Sequence, residues 1–398
     1  MSPEAGMQRT LLGVLMLTTT SLTTLGCAQQ EIPEMTTDPT TQLQAIVESM
    51  VANDDAVHGA SMAVISPSRE ISWEGAAGLA DPEAGLEMTP GHPVRIASNT
   101  KTYTAAAVLR LAEDGRLDID SPIADHLPGA LVDLLTAGGY DPAAITIRHL
   151  LTHSGGLDDH GAAAEYTEAI VADPQHEWTP AEQITGLVEW GSKLGEPGEV
   201  YSYSDSGYVL LGVIIEATTG QRLGPAVREL IDFESLGLGS TWWEVMEPRP
   251  DVVPVRAHQF LGELDVHAFY PTFDLYGGGG IAATMGDLAV FFDALFRGEV
   301  FHDPATLETM MSTFDGLEAA AGADERSLPP GAYRMGLWVT EIGGRTAYQH
   351  TGFWSTSAVH VPSLDLTVTG TVNQHEGGES LDRAVDEAIR AINSSSEL

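Results

Sequence analysis

Ser98, Asn99, Thr100 and Lys101 set a serine hydroxyl and a lysine ammonium three residues apart. On a helix that spacing puts both on one face. A serine hydroxyl is a poor nucleophile until a base takes its proton. Lysine becomes such a base when burial lowers its pKa. Arg95-Ile96-Ala97 reads as extended chain entering a helix, so Ser98 falls at a helix N-terminus, where the dipole and free N–H groups favour negative charge. Lysine occurs only at Lys101 and Lys193, which narrows the choice of base. Taken alone, the same spacing also fits an N-cap serine beside a surface lysine.

Two further pieces carry chemistry. Tyr203-Ser204-Asp205 lies in EPGEVYSYSDSGYVLLG, where Pro197-Gly198 and Gly207 predict a loop leading into an apolar helix. A tyrosine there can act as general acid or base. His350-Thr351-Gly352 follows strand-like Ala347–Gln349, and a small residue at a sheet edge lets a substrate backbone approach closely. Other patterns are weaker. His149 and His153, with Asp158, Asp159 and His160, have metal-ligand spacing, yet no HExxH motif accompanies them. No GxSxG elbow occurs. Gly277–Gly280 lacks the Lys-Ser/Thr of a phosphate loop and reads as a turn beside the site. Trp242-Trp243 reads as buried packing.

The elements that must hold these residues follow from periodicity. Helical spacing covers Gln42–Val51, Ser98–Leu117, Val209–Thr219, Leu288–Phe296 and Ser380–Ile392. Ser61–Ile65 and Glu70–Ala77 form a hairpin, and Met335–Ile342, Thr346–Gln349, Ser357–Val361 and Leu366–Val372 are strands joined by short turns. Short turns imply antiparallel pairing. The economical arrangement is an α+β fold: one antiparallel sheet drawn from both chain ends, flanked by helices, with a mostly helical region inserted over about 120–300.

The chain has 398 residues, 43% of them hydrophobic, which suits a globular protein with a sizeable core. Lys+Arg number 18 against 57 Asp+Glu, a net charge of −39. Such a surface repels phosphate backbones, so no nucleic-acid partner is expected, and it repels itself in a way that salt relieves. Cys27 is the one cysteine, so no intramolecular disulfide can form. Arg9 and the apolar run Leu11–Leu17 precede Thr24-Leu25-Gly26-Cys27, a secretory signal layout with the cysteine where a bacterial lipoprotein is acylated. The expected organisation is a signal peptide over 1–26, a lipid anchor and polar tether over 27–41 and one domain over 42–395. The protein is then exported and held at a membrane of the bacterial cell envelope through its anchor only.

In this order, SxxK, a YxN-like motif and HTG resemble the serine penicillin-recognising hydrolases. The nearest branch holds class C β-lactamases, serine D-Ala-D-Ala carboxypeptidases and related esterases. RIASNTKTYTAAAVLRLAEDGRLDIDSPI, IRHLLTHSGGL, GGGGIAATMGDLAVFF and HTGFWS extend the resemblance over about 42–392. It implies a β-lactamase/transpeptidase-like fold and no cofactor or metal. It implies Ser98 as acylated nucleophile, with Lys101 and Tyr203 sharing the proton transfers. The N–H groups of Ser98 and Phe353 would form the oxyanion hole, each worth about 3–4 kcal/mol of barrier. Asp205, His350, Thr351 and Gly352 would line the substrate. Two positions depart from the pattern. Asp205 stands where the family has Asn, and an ionised carboxylate accepts but cannot donate. It also favours a charged Lys101, which points to Tyr203 as the base. His350 replaces the commoner lysine and weakens the fixed charge at a carboxylate site. The expected substrate is a D-Ala-terminated peptide or a D-amino-acid amide. An ester, a weakly hydrolysed β-lactam and a binding role without turnover remain open.

Overall fold

The computed structural model describes residues 38–314, 317–319 and 332–394. The expected signal segment, Cys27 and most of the tether lie outside them. Among the described residues no helix is long and apolar enough to cross a membrane.

Seven strands form one antiparallel sheet: β1 (Gly59–Ser66), β2 (Ile71–Asp81), β3 (Leu86–Glu87), β4 (Trp338–Ile342), β5 (Arg345–Gly352), β6 (Thr356–Val361) and β7 (Leu366–Val372). Their order is β4-β5-β6-β7-β1-β2-β3. The two chain ends meet where β1 pairs with β7, Ala60 opposite Val372 and Ile65 opposite Thr367. Alternation along β1 divides the core. Met62 and Val64 face α1 (Pro39–Ala52) and the C-terminal helix, whereas Ala63 faces the inserted region.

Helix α1 starts at Pro39, three residues before the expected Gln42, because Asp38 caps it: its side chain accepts from the Thr40 N–H, and Pro39 fits the first turn. Leu43, Val47 and Met50 form its buried stripe, each worth roughly 1.5–3 kcal/mol. Helix α2 (Thr100–Glu113) begins after Ser98 rather than at it and stops before the expected Leu117. Helix α3 (Asp205–Thr219) is buried from Ser206 to Ile215, as its apolar run predicts. Helix α4 (Met285–Phe296) covers the face of the sheet opposite α1, and α5 (Gly378–Ser394) lies beside α1.

The inserted region is mostly helical, as expected, but short strands that the sequence does not announce join it to the chain before Ser98. Trp242–Trp243 of the inserted region and Val94–Arg95 ahead of it both pair with Ile281–Ala283. Trp242 and Trp243 are buried. This small sheet ends at the residues that precede Ser98.

Candidate active site

Ser98 sits in a short 3-10 turn, Ala97–Asn99, ahead of α2. Ala97 has φ 45°, a left-handed conformation that costs an alanine of the order of 1–2 kcal/mol. The turn is held from three sides. The Ile96 N–H donates to the Ile281 carbonyl at 3.0 Å. The Ile96 carbonyl accepts from Thr356 Oγ1 at 2.9 Å and Asn99 Nδ2 at 3.1 Å. Asn99 Nδ2 also donates to Thr356 Oγ1 at 2.9 Å. The serine is thus tied to β6 and to the small sheet before it.

Lys101 lies one turn on, fully buried. Its Nζ donates to Ser98 Oγ at 2.8 Å and to the Gly278 carbonyl at 2.9 Å. The expected turn at Gly277–Gly280 is therefore beside the site, where it supplies a carbonyl. Lys101 Nζ also pairs with Asp205 Oδ1 and lies 4.9 Å from the centre of the Tyr203 ring. Lys193, by contrast, pairs with Glu196 away from this centre.

Tyr203 stands on irregular chain between Val200–Tyr201 and α3, and the Ser98 side chain is near enough to favour its ionised form. Burial, reinforced by the Asp205 charge, pushes its phenol well above the ordinary range. This corrects the expected protonation. Burial and the Asp205 carboxylate together disfavour a tyrosinate, so Tyr203 keeps its proton at neutral pH. Asp205 opens α3 behind the cap Ser204, whose Oγ accepts from the Gly207 N–H. Burial works against its charge, but the Lys101 ammonium prevails and holds it below the usual carboxylate range.

His350, Thr351 and Gly352 are the last residues of β5, which runs three residues beyond the expected Gln349. Gly352 passes so close to the Ser98 turn that a Cβ there would fall 2.3 Å from both the Ile96 carbonyl and Thr356 Oγ1. That contact brings the end of β5 against Ala97, one residue before Ser98. The Thr351 side chain is exposed, whereas His350 is buried behind it. Its Nδ1–H donates to the Thr351 carbonyl at 2.8 Å, and Nε2 lies 3.2 Å from the Tyr333 hydroxyl. Burial and the Lys101 charge pull its pKa down to about 3, so it is neutral.

Two carboxyl groups join the site without being expected there. Asp159 Oδ1 accepts from the N–H groups of Asp205 and Gly161, both at 3.0 Å. Burial, then the Asp205 charge, raises its pKa to about 8. Asp274 lies under Gly279, accepts weakly from Trp354 Nε1 at 3.4 Å and is raised to about 7, chiefly by burial. The pair Asp158-Asp159 was visible in sequence only as a metal pattern, and nothing in sequence marked Asp274. His149 is drawn off into the capping box of its own helix, and His153 turns toward Tyr203. An aromatic wall flanks the serine: Phe353 is 52% exposed, and Trp354, Phe269 and Phe273 pack together beside Ala97.

A cleft of about 660 Å³ lined by Pro39, Arg69, Ile71, Leu364 and Ile392 opens at the far ends of the strands and does not include Ser98.

The family model described as Beta-lactamase matches residues 43–391. The chain is 34% identical over 204 residues to the esterase EstB of Burkholderia gladioli, a match spanning 50% of either chain. It is 27% identical over 317 residues to a protein of Escherichia coli K12 that carries the name of a D-alanyl-D-alanine carboxypeptidase, covering 73% of this chain and 71% of that one. Among solved structures it superposes on the D-amino acid amidase of Ochrobactrum anthropi SV3, complexed with L-phenylalanine amide. The TM-score is 0.72 and the identity 25%, over 90% of this chain and 99% of that one.

Proposed function

The chain belongs to the Beta-lactamase family, and on that footing we propose that it is a serine hydrolase working through an acyl-Ser98 intermediate. The observation that carries this reading is the hydrogen bond of Ser98 Oγ with the buried Lys101 Nζ at 2.8 Å, the same Nζ lying 4.9 Å from the centre of the Tyr203 ring.

The protonation states favour a relay through a neutral phenol. As Ser98 Oγ attacks the substrate carbonyl, its proton passes to the Tyr203 oxygen, and the proton already on Tyr203 goes to the leaving group. In the second half water attacks the acyl carbonyl, its proton passes to Tyr203, and the Tyr203 proton returns to Ser98 Oγ. Tyr203 ends each half as it began. The Lys101 ammonium stabilises the charge that grows on Ser98 Oγ, an electrostatic role suited to a buried site. The N–H groups of Ser98 and Phe353 receive the oxyanion.

The favoured substrate is a D-amino-acid amide with a free amino group and an apolar side chain. Asp205 accepts where the family pattern donates, Asp159 stands beside it, and His350 is neutral. This lining suits an ammonium better than the terminal carboxylate of a D-Ala-D-Ala peptide or a β-lactam. Phe353 and its neighbours suit an apolar side chain. The D configuration rests on the likeness to the amidase. A simple ester is the second reading, favoured by the likeness to EstB and by the loss of the amide donor at 205.

The test is a panel on one preparation: D-phenylalanine amide, its N-acetyl derivative, a D-Ala-D-Ala peptide, nitrocefin and a p-nitrophenyl ester. The free amide is expected to exceed its N-acetyl form, and Ser98→Ala is expected to lose several decades of turnover and all fluorophosphonate labelling. Near wild-type turnover by Ser98→Ala would sink the hydrolase reading. Faster cleavage of the peptide would sink the substrate reading.

For location, we propose export and acyl anchoring at Cys27, motivated by the lone cysteine after an apolar run. Wild type should then fractionate with membranes in a Gram-negative host, and Cys27→Ser should be released without lipid.

A further inference from the structure

Tyr203 stands in Ser202–Ser204, a stretch without helix or strand. Such a segment has no ladder of its own to hold a phenol in place. One residue reaches it from both sides. The His153 carbonyl accepts from the Ser202 N–H at 3.0 Å. The His153 Nδ1 accepts from the Ser204 N–H at 3.1 Å. These two donors flank Tyr203 in the chain. Between them the imidazole packs on the Tyr203 ring, with centroids 4.3 Å apart.

His153 is itself tightly constrained. It is buried, and its φ of 53° lies in the left-handed region. Such a conformation persists when the surroundings over-determine it. Burial, with the Lys101 charge, pushes the imidazole well below its ordinary pKa, so it is neutral. With Nδ1 accepting, the hydrogen-bond network assigns its proton to Nε2.

We propose that His153 is a positioning residue for Tyr203. It fixes the backbone on either side of the tyrosine and seats the ring so that the hydroxyl meets Ser98. The inference rests on the reading of Tyr203 as the proton relay. A misplacement of about 1 Å at a reacting group can cost about 100-fold in rate. Loss of the clamp should therefore lower kcat and leave KM nearly unchanged.

The experiment compares wild type, His153→Leu, His153→Asn and Tyr203→Phe, with the best substrate of the panel and a melting curve for each. Asparagine carries an acceptor oxygen on Cγ, where histidine carries Nδ1, and it tolerates φ > 0. Leucine offers no acceptor. His153→Leu is expected to lose about 100-fold in kcat with KM within about 3-fold, and His153→Asn to recover most of that loss. A folded His153→Leu with wild-type kcat overturns the proposal, as does a loss confined to KM. If His153→Leu fails to fold, His153→Asn decides alone: near wild-type kcat supports the clamp, and a fall as deep as that of Tyr203→Phe overturns it. Full activity in Tyr203→Phe would instead remove the relay reading itself, whatever the His153 variants do.

Discussion

Asp205 is the residue at which this chain departs furthest from its family's pattern. It pairs with Lys101, donates its backbone N–H to Asp159 Oδ1 and, together with burial, keeps the Tyr203 phenol neutral. Replacing it by Asn keeps the shape, removes one negative charge and restores an N–H donor. Asp205→Asn is expected to raise nitrocefin acylation several-fold relative to p-nitrophenyl ester hydrolysis, because a β-lactam presents an amide carbonyl beside the scissile bond and the ester does not. The same change should reduce the preference for D-phenylalanine amide over its N-acetyl form. Stopped-flow acylation and steady-state kcat/KM on the four substrates read both ratios. Equal changes for all four would mean that the side chain does not face the substrate.

Among elements, the join between β5 and the Ser98 turn governs the geometry. The strand ends on Gly352, where the Ile96 carbonyl and Thr356 Oγ1 leave no room for a Cβ. Both are fixed in turn, Ile96 by the small sheet and Thr356 by β6. Gly352→Ala must push the strand end away from the serine and carry the Phe353 N–H with it. The expected result is a fall in kcat of about 100-fold, the scale set by losing one oxyanion donor. The melting temperature should fall by only a few degrees, the equivalent of about 1 kcal/mol. Unchanged turnover would show that the Phe353 N–H takes no part.

For the whole molecule, buried titratable groups set a stability optimum. Burial holds His160, His267 and His360 at about 4 and His350 at about 3. For each, the unfolded chain binds the proton first as pH falls below about 6.5, so stability is lost toward acid pH. Asp159 at about 8 and Asp274 at about 7 have the opposite sign. Their folded forms keep protons that the unfolded chain has released above about pH 4, so stability falls as pH rises until those folded values are passed. Between about pH 4 and 6.5 the four histidines outweigh the two acids, and above that window only the acids remain. The melting temperature should therefore peak near pH 6.5 and decline on both sides. Asp159→Asn should flatten the alkaline decline, and a decline identical to wild type would refute the assignment.

The sequence alone determined which residues carry chemistry and which segments carry them. SxxK names a nucleophile and a cation by type and spacing, and the β-like runs Ser61–Ile65 and Leu366–Val372 mark two strands. Both signals are local, because a helix turn or a strand pleat spans only a few residues. It could not determine what those residues meet. Ser98 and Tyr203 are 105 positions apart, and Asp159 and Asp274 acquire their raised pKa values only when packing removes water from around them. The phenol's protonation went the other way from expectation for the same reason: a pKa sums burial and charge over every neighbour, and the neighbours come from the tertiary fold. The strand pairing before Ser98 and the reach of β5 to Gly352 also come from contacts distant in the chain, which no short window of residues contains.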